Sequence, residues 1–325
     1  MEAAAFGQSL AAGPAALAGL NRTMSAQRMQ LPDGRWHFQH GPMDLVIGAS
    51  GLPAVVAAAH EAAWRRFTRI LDELVGELPV LRAPVARDCR AQGPIARRMW
   101  QACQPYKSGF ITPMAAVAGA VAEELVACYA RAGIGRAWVN NGGDIALHLA
   151  HGQSVAIGLY ADLARLDPGE LREGIRTDGR FDVSSVLPVR GVATSGWRGR
   201  SFSRGIADSV TVLARTASEA DAAATVIANA VDVGDPRIVR RPACELKDDT
   251  DLGEIPVTVD VPPLEPALVL RALREGLKRA EALRAAGLIW SAAMICQHQV
   301  ISTGTAGTTL QSGQREIAQV GSVFA

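Results

Sequence analysis

Apolar positions recur at three- and four-residue steps over 53–76, where Val56, His60, Trp64, Phe67, Ile70, Leu71 and Leu74 fall on one face. That spacing predicts a long amphipathic helix. A two-residue alternation precedes it: "GRWHFQHGPMDLVIGA" (35–49) reads as two strands meeting at Gly41-Pro42, with Trp36, Phe38 and His40 sharing a face of the first. "FITPMAAVAGAVAEELVACYARAG" (110–133) predicts a second helix, with Thr112 as N-cap, Pro113 in the first turn and Gly133 past the end. Met114, Val117, Val121, Leu125 and Cys128 make its apolar stripe, and Ala and Gly fill nearly all the rest of its first half. Small side chains let neighbours approach from every side, so this helix is expected to be central and buried.

Downstream, "RAWVNNGGDIALHLA", "SVAIGLYA", "VRGVATSG" (189–196) and "GIADSVTVLAR" (205–215) alternate strand-like runs with turns, around a polar, exposed insertion at about 162–186. A helix follows at 218–231, then a Pro- and charge-rich passage (235–264) and a helix at 266–286, begun by Pro266 and stopped by Gly287. "LIWSAAMICQHQVIS" returns to apolar character. There is no internal repeat and no clean linker. The expectation is one α/β domain over 31–302, a mixed sheet with packed helices, between a poorly ordered leader (1–30) and a flexible Gly/Ser/Thr-rich tail (303–325).

With 325 residues and 49 % hydrophobic, a large core is within reach. Lys+Arg 33 against Asp+Glu 32, with only 5 % aromatic residues, argues against nucleic acid or an anionic membrane as partner. Five dispersed cysteines without a C-x-x-C pair fit a reducing compartment, and Cys128 on its apolar stripe reads as a small core residue. The Ala-rich start has an acid at position 2 and no basic region, unlike a secretory signal, and no apolar run reaches the ~18 residues of a membrane span. A cytoplasmic location is expected.

Three stretches carry candidate chemistry. "NNGGD" (Asn140, Asn141, Gly142, Gly143, Asp144) has the composition of a hairpin turn, but two glycines followed at once by an acid also suit a ligand that approaches the backbone closely. "GVATSGWRGRSFSRG" (191–205) ends a strand at Thr194, Ser195 and Gly196, and Arg198, Arg200 and Arg204 follow. It reads either as a solvated basic loop or as an anion-binding one. "SEADAAATVIAN" (218–229) offers Ser218 and Asp221 as a capping box, or Asp221 and Thr225, four apart on one helical face, as oxygen ligands for a hard cation such as Mg²⁺.

In order and spacing these stretches resemble the ApbE superfamily, whose founding activity is flavin transfer from FAD to a protein threonine. The family's N-x-G-G-D, A-T-S-G and A-D-A-x-A-T segments stand here as "NNGGD" at 140–144, "ATSG" at 193–196 and "ADAAAT" at 220–225. With "QHGPMDLVI", "ARRMW" and "FITPMAAVAGAVAEE", the chain looks like a shorter branch of the superfamily, and the likeness covers most of 35–300. The resemblance implies an ApbE-like fold, Asp221 and Thr225 as Mg²⁺ ligands, and a pocket for FAD or FMN at Asn140 to Asp144 and Thr194 to Gly196.

One departure stands out. Flavin transferases of the family carry an H-x-x-D-P-x-T-G segment between the second and third motifs; here "RGRSFSRGIADSVTV" joins them, with Asp208 the sole acid. That argues against protein flavinylation. Asp208 reads as a strand-end cap or a replacement metal ligand, and His40 as a candidate acid/base or a satisfied strand residue. Arg98, Lys107 and Thr112 are placed to line the same cavity. The expected function is an ApbE-like, Mg²⁺-assisted enzyme acting on an anionic or nucleotide small molecule, with a homodimer possible. The rivals are a non-catalytic flavin or metabolite carrier, and an accessory factor in sulfur or one-carbon metabolism using Cys89 or Cys103 as a reactive thiol.

Overall fold

The structure, a computed structural model, describes residues 25–159, 179–199, 201–304 and 323–324. Its frame is a nine-stranded antiparallel sheet. In chain order the strands are β1 (Gln27–Gln30), β2 (Trp36–His40), β3 (Met43–Gly51), β4 (Ile134–Asn141), β5 (Asp144–Leu149), β6 (Ser154–Leu159), β7 (Gly179–Ser184), β8 (Gly191–Ser195), β9 (Ser209–Ala214), β10 (Val239–Pro242), β11 (Pro256–Asp260), β12 (Ser291–Cys296), β13 (Gln299–Ser302) and β14 (Val323–Phe324). The large sheet runs β1-β2-β3-β4-β5-β8-β9-β12-β13; β14-β6-β7 and β10-β11 form two smaller ones.

Among the described residues six α-helices accompany them: α1 (Pro53–Gly76), α2 (Leu78–Leu81), α3 (Pro94–Cys103), α4 (Val117–Val126), α5 (Ala217–Ala230) and α6 (Pro266–Ala285). Strand alternation divides the apolar side chains between two faces. Ala146, Ala193, Val210 and Val212 pack with the helices in the main core, while Ile145, Leu147, Val192 and Leu213 meet Val155, Ile157, Phe181 and Val183 of the small β6-β7 sheet in a second. The fold class is mixed α/β, with every neighbouring pair of the large sheet antiparallel.

The periodic segments hold their expected places, the β2-β3 hairpin and α1 among them. Other boundaries differ. β1 lies inside the expected leader, of which 1–24 are outside the described residues. Of the expected exposed insertion, 162–178 are likewise outside; the remainder includes β7, whose Phe181 and Val183 are buried at 2 % and 0 % exposure. Thr303 is held to β12 through Ala292, and β14 pairs with β6, so parts of the expected tail join the sheets. The rest of that tail (305–322 and 325) is outside the described residues.

The predicted helix over 110–133 is broken into three. Pro113–Ala116 and Ala127–Tyr129 are 3-10 turns flanking α4. Thr112 precedes the first turn with no side-chain capping bond; its hydroxyl is hydrogen-bonded to Asp251 Oδ2 instead. The break falls where the Gly119 N–H, at the start of α4, turns to a side chain from another helix.

That other helix is α5, which is closely packed on its alanine face. Its Ala217, Ala220, Ala222, Ala223, Ala224 and Ala228 are all 0 % exposed. A Cβ on Gly119 of α4 would stand 2.3 Å from the Ala217 carbonyl oxygen, and one on Gly191 of β8 would stand 2.1 Å from that of Thr216. Backbone therefore lies directly on backbone around the helix that carries Asp221.

Candidate functional site

The hairpin between β4 and β5 is a two-residue turn with φ of 68° at Gly142 and 112° at Gly143, conformations glycine adopts without penalty. Asn140 Oδ1 accepts the Gly143 N–H at 2.8 Å and closes the turn. These three residues are accounted for by turn geometry. The flanking pair does something else. Asn141 and Asp144 are both 8 % exposed, and Asn141 Nδ2 donates to the Ala118 carbonyl at 3.1 Å.

Asp144 Oδ1 accepts the backbone N–H of Thr194 at 3.1 Å, which ties the first motif to the second. Asp221 Oδ2 accepts the Gly119 N–H at 2.9 Å, with a further backbone bond from Ala118. The Ala118–Gly119 step thus touches Asn141 through its carbonyl and Asp221 through its amides. Burial pushes the Asp144 carboxyl well above the usual carboxylate range, and the neighbouring Asp221 carboxylate pushes it further, against the Thr194 N–H. Burial likewise raises Asp221 to about 7, against the pull of the Gly119 and Ala118 N–H groups. Among the described residues no Lys, Arg or His forms an ion pair with either acid. Asp144 is buried and Asp221 half-buried, and two neighbouring carboxylates so sheltered from solvent repel each other.

The capping reading of Asp221 is corrected. Thr216 is the N-cap of α5, its Oγ1 accepting the Glu219 N–H at 3.2 Å. Asp221 lies inside the helix and serves a different one. Thr225, one turn further on, is half-buried, and its hydroxyl makes no hydrogen bond among the described residues. Of the second motif, Thr194 Oγ1 pairs with Thr211 Oγ1 at 2.9 Å, while Ser195 is half-buried at the strand end. Gly196 packs so closely under the next strand that a Cβ would lie 2.3 Å from the Asp208 carbonyl.

Asp208 and His40 lie at the same sheet end but apart from the pair. Asp208 precedes β9, two strands from β5, or roughly 10 Å at the usual strand spacing. Its Oδ1 faces Trp197 Nε1 (3.2 Å) and Arg198 Nε (3.0 Å), and its Oδ2 accepts the Gln297 N–H at 2.6 Å. Gln297 and His298 have φ of 44° and 68°, a strained turn for side-chain-bearing residues, and Asp208 holds it. Asp208→Ala is expected to lower stability by about 2–3 kcal/mol and leave cation affinity unchanged, read by urea unfolding and calorimetry. His40, three strands from β5, is 6 % exposed and packs edge-on to Phe67 of α1.

Arg98 does not line the pair; its guanidinium meets Glu123 and Glu124. Arg204 and Lys107 are exposed, and Arg200 lies outside the described residues. Cys103 is 0 % exposed, and its thiol is raised by burial and by the carboxylates of Asp221 and Asp251. That environment suits an inert core thiol. In native protein an alkylating reagent is expected to modify exposed Cys89 at least about tenfold faster than Cys103, read by peptide mass spectrometry; comparable rates would contradict the placement.

Among the described residues no group of three or more His, Cys, Asp or Glu is placed to hold a metal ion, so any cation here would rest on two carboxylates and neutral oxygens. A family model described as "AbpE bacteria" matches residues 28–308. The chain belongs to this family. Its relatives include UPF0280 proteins of archaea. That of Methanopyrus kandleri is 37% identical over 221 residues, covering 66% of this chain and 83% of its own. That of Methanosarcina barkeri is 33% identical over 200 residues, covering 61% and 73%. A solved ApbE protein of Thermotoga maritima aligns over 89% of this chain and 96% of its own, at 13% identity and a TM-score of 0.39. No helix among the described residues is long and apolar enough to cross a membrane.

Proposed function

We propose that this AbpE-family chain is an enzyme that binds a phosphate-bearing small molecule, a flavin nucleotide such as FAD or FMN by the family's precedent, with the help of Mg²⁺. The observation that carries the reading is the Asp144–Asp221 pair: one buried and one half-buried carboxyl group, each raised by burial, with no basic side chain paired to them among the described residues. The donor set fits a hard divalent ion. Asp144, Asp221 and the uncommitted Thr225 hydroxyl are all oxygen donors, and Mg²⁺ characteristically takes one or two carboxylates and completes its shell with water and phosphate. A cation held there supplies charge neutralisation for a phosphate or polarises a carbonyl.

The chain's own groups set up that site. The Thr194 N–H fixes one Asp144 oxygen and leaves its second oxygen to a ligand, while the Gly119 and Ala118 N–H groups hold the Asp221 carboxylate in place. The Asn141 side chain locks the β4-β5 turn onto α4, so both acids are carried on braced elements rather than free loops. Ser195, half-buried at the strand end beyond Thr194, offers a motif hydroxyl for orienting a bound phosphate.

The test is direct. Purified protein is incubated with FAD and Mg²⁺, then with Mg²⁺ omitted, and free FMN and AMP are followed by chromatography alongside bound flavin by visible absorbance. The reading expects Mg²⁺-dependent binding and conversion, both lost in Thr225→Val or Asp221→Ala. Flavin that binds without conversion would support the carrier instead, and no binding of FAD, FMN or AMP under any condition would overturn the flavin assignment.

A further inference from the structure

The sequence singles out Asp221 but nothing that aims it. Two contacts pin α4 against α5, and they lie one turn apart on both helices. At the first, the Gly119 N–H meets Asp221 Oδ2 at 2.9 Å. At the second, Glu123 Oε2 accepts both the Ser218 N–H at 3.3 Å and the Ser218 hydroxyl at 2.8 Å. Ser218 is three residues before Asp221, and Glu123 is four after Gly119.

The second contact is not needed to end the helix. Thr216 already caps α5 locally through the Glu219 N–H. The Ser218 N–H is a further orphan donor of the first turn, and a side chain from a different helix takes it. A carboxylate there also faces the positive end of the helix dipole. Such a cross-helix cap fixes the position of α5 as a body on α4, which a local cap does not do.

Glu123 is itself held. Its Oε1 pairs with Arg98 Nε of α3 at 3.0 Å. Arg98 Nη1 also donates to Glu124 Oε2 at 2.9 Å and to the Ala120 carbonyl at 3.3 Å. Glu124 Oε1 meets Arg66 Nε of α1 at 2.7 Å, and Arg66 forms a two-pronged pair with Glu73 at 2.7 and 2.9 Å. Burial alone would raise the Glu124 carboxyl, but the Arg66 and Arg98 guanidiniums hold it below its usual range. Bidentate, half-buried guanidinium–carboxylate contacts are geometrically specific. The network runs from α1 through α3 and α4 to the first turn of α5.

We propose that Glu123, clamped by Arg98, is a positioning residue: it seats the first turn of α5 on α4 and so sets where the Asp221 carboxylate stands. The assignment rests on reading the Asp144–Asp221 pair as the ligand-holding centre. Its own geometry, however, is tested without any ligand.

The experiment uses the full chain as wild type, Glu123→Ala, Glu123→Gln and Ser218→Ala. Two quantities are read: amide hydrogen exchange at Gly119, the donor to Asp221, and Mn²⁺ affinity by electron paramagnetic resonance. Glu123→Ala is expected to speed Gly119 exchange about tenfold or more and to weaken Mn²⁺ binding about tenfold, the usual scale for losing an outer partner of a ligand. Glu123→Gln keeps an acceptor for Ser218 and is expected to restore most of both. Ser218→Ala keeps the backbone N–H bond to Glu123 but loses the hydroxyl contacts to Glu123 and Thr216; it gives a smaller change in the same direction, with the Thr216 cap to Glu219 left in place, and stands in if Glu123→Ala does not fold.

Unchanged Gly119 exchange in Glu123→Ala overturns the proposal. So does faster exchange spread evenly through α4 and α5 with no recovery in Glu123→Gln, which marks general loosening. Should wild type bind no Mn²⁺, the cation reading fails by itself, and Gly119 exchange still decides for or against Glu123.

Discussion

Asp221→Asn is expected to make the ligand-free protein more stable, by on the order of 2–4 kcal/mol above about pH 7. Burial holds the folded-state Asp221 pKa up at about 7, above its ordinary value of 3.8. The folded form therefore binds that proton more tightly than the unfolded chain does. The stabilisation from the bound proton is complete below about pH 4 and is lost as the pH rises through about 7. Asn keeps an acceptor for the Gly119 N–H but has no charge to lose, and it also removes the like-charge neighbour that raises Asp144. Thermal unfolding of the two proteins across pH checks this: the curves should nearly meet near pH 4 and diverge towards pH 8. A variant less stable than wild type at every pH would show that Asp221 is a structural acid, not a strained functional one. Stability gained by removing a buried charge, with affinity lost, is the usual signature of a binding site held at a cost.

Gly119→Ala is the second large effect. The added Cβ would stand 2.3 Å from the Ala217 carbonyl oxygen and 2.9 Å from the Ser218 nitrogen, both backbone atoms with no rotamer to yield. The helices must separate, and overpacking of this kind costs about 3 kcal/mol or more. It also drags the Gly119 N–H away from Asp221, so cation affinity should fall together with the unfolding midpoint. Gly152→Ala provides the contrast. Its φ of 78° carries backbone strain, but no atom lies near its Cβ, so it should cost about 1 kcal/mol and leave affinity alone. Equal losses in both variants would place the effect in backbone conformation, not in the α4–α5 contact.

How far the fold was legible follows the reach of the forces involved. The bounds of α1 and α6 and the β2-β3 turn at Gly41 came from local periodicity and from proline and glycine, and the structure places them there. The start of α5 did not. "RTASEAD" holds two overlapping capping boxes, Thr216 with Glu219 and Ser218 with Asp221, and no local rule selects one. The selection is made from α4: Glu123 takes the Ser218 donors from 95 residues away, and Gly119 engages Asp221 from 102. Asp208 is similar, its strand-end position visible in sequence but its partner Gln297 89 residues distant.

The candidate site was legible by motif, not by residue. The order of "NNGGD", "ATSG" and "ADAAAT" pointed to it, and the Thr194–Asp144 hydrogen bond together with the electrostatic influence of Asp221 on Asp144 bring the three stretches together. Within "NNGGD" the sequence could not separate Asn140, Gly142 and Gly143, which build the turn, from Asn141 and Asp144, which point inward. Likewise Arg98 was placed near the cavity by proximity in the chain, whereas its charge goes to Glu123 and Glu124.

The pairing of Asp144 with Asp221 as a cation-accepting centre is tested most directly by calorimetric titration of wild-type protein with Mg²⁺. The titration is made in two buffers of different ionisation enthalpy, near pH 6 and near pH 8. Saturable binding that releases protons is expected, with the release larger at the lower pH because the pair then holds more of them, and no binding by Asp221→Asn. Saturable Mg²⁺ binding of equal strength in Asp221→Asn, or no Mg²⁺ binding by wild type at either pH, would contradict it.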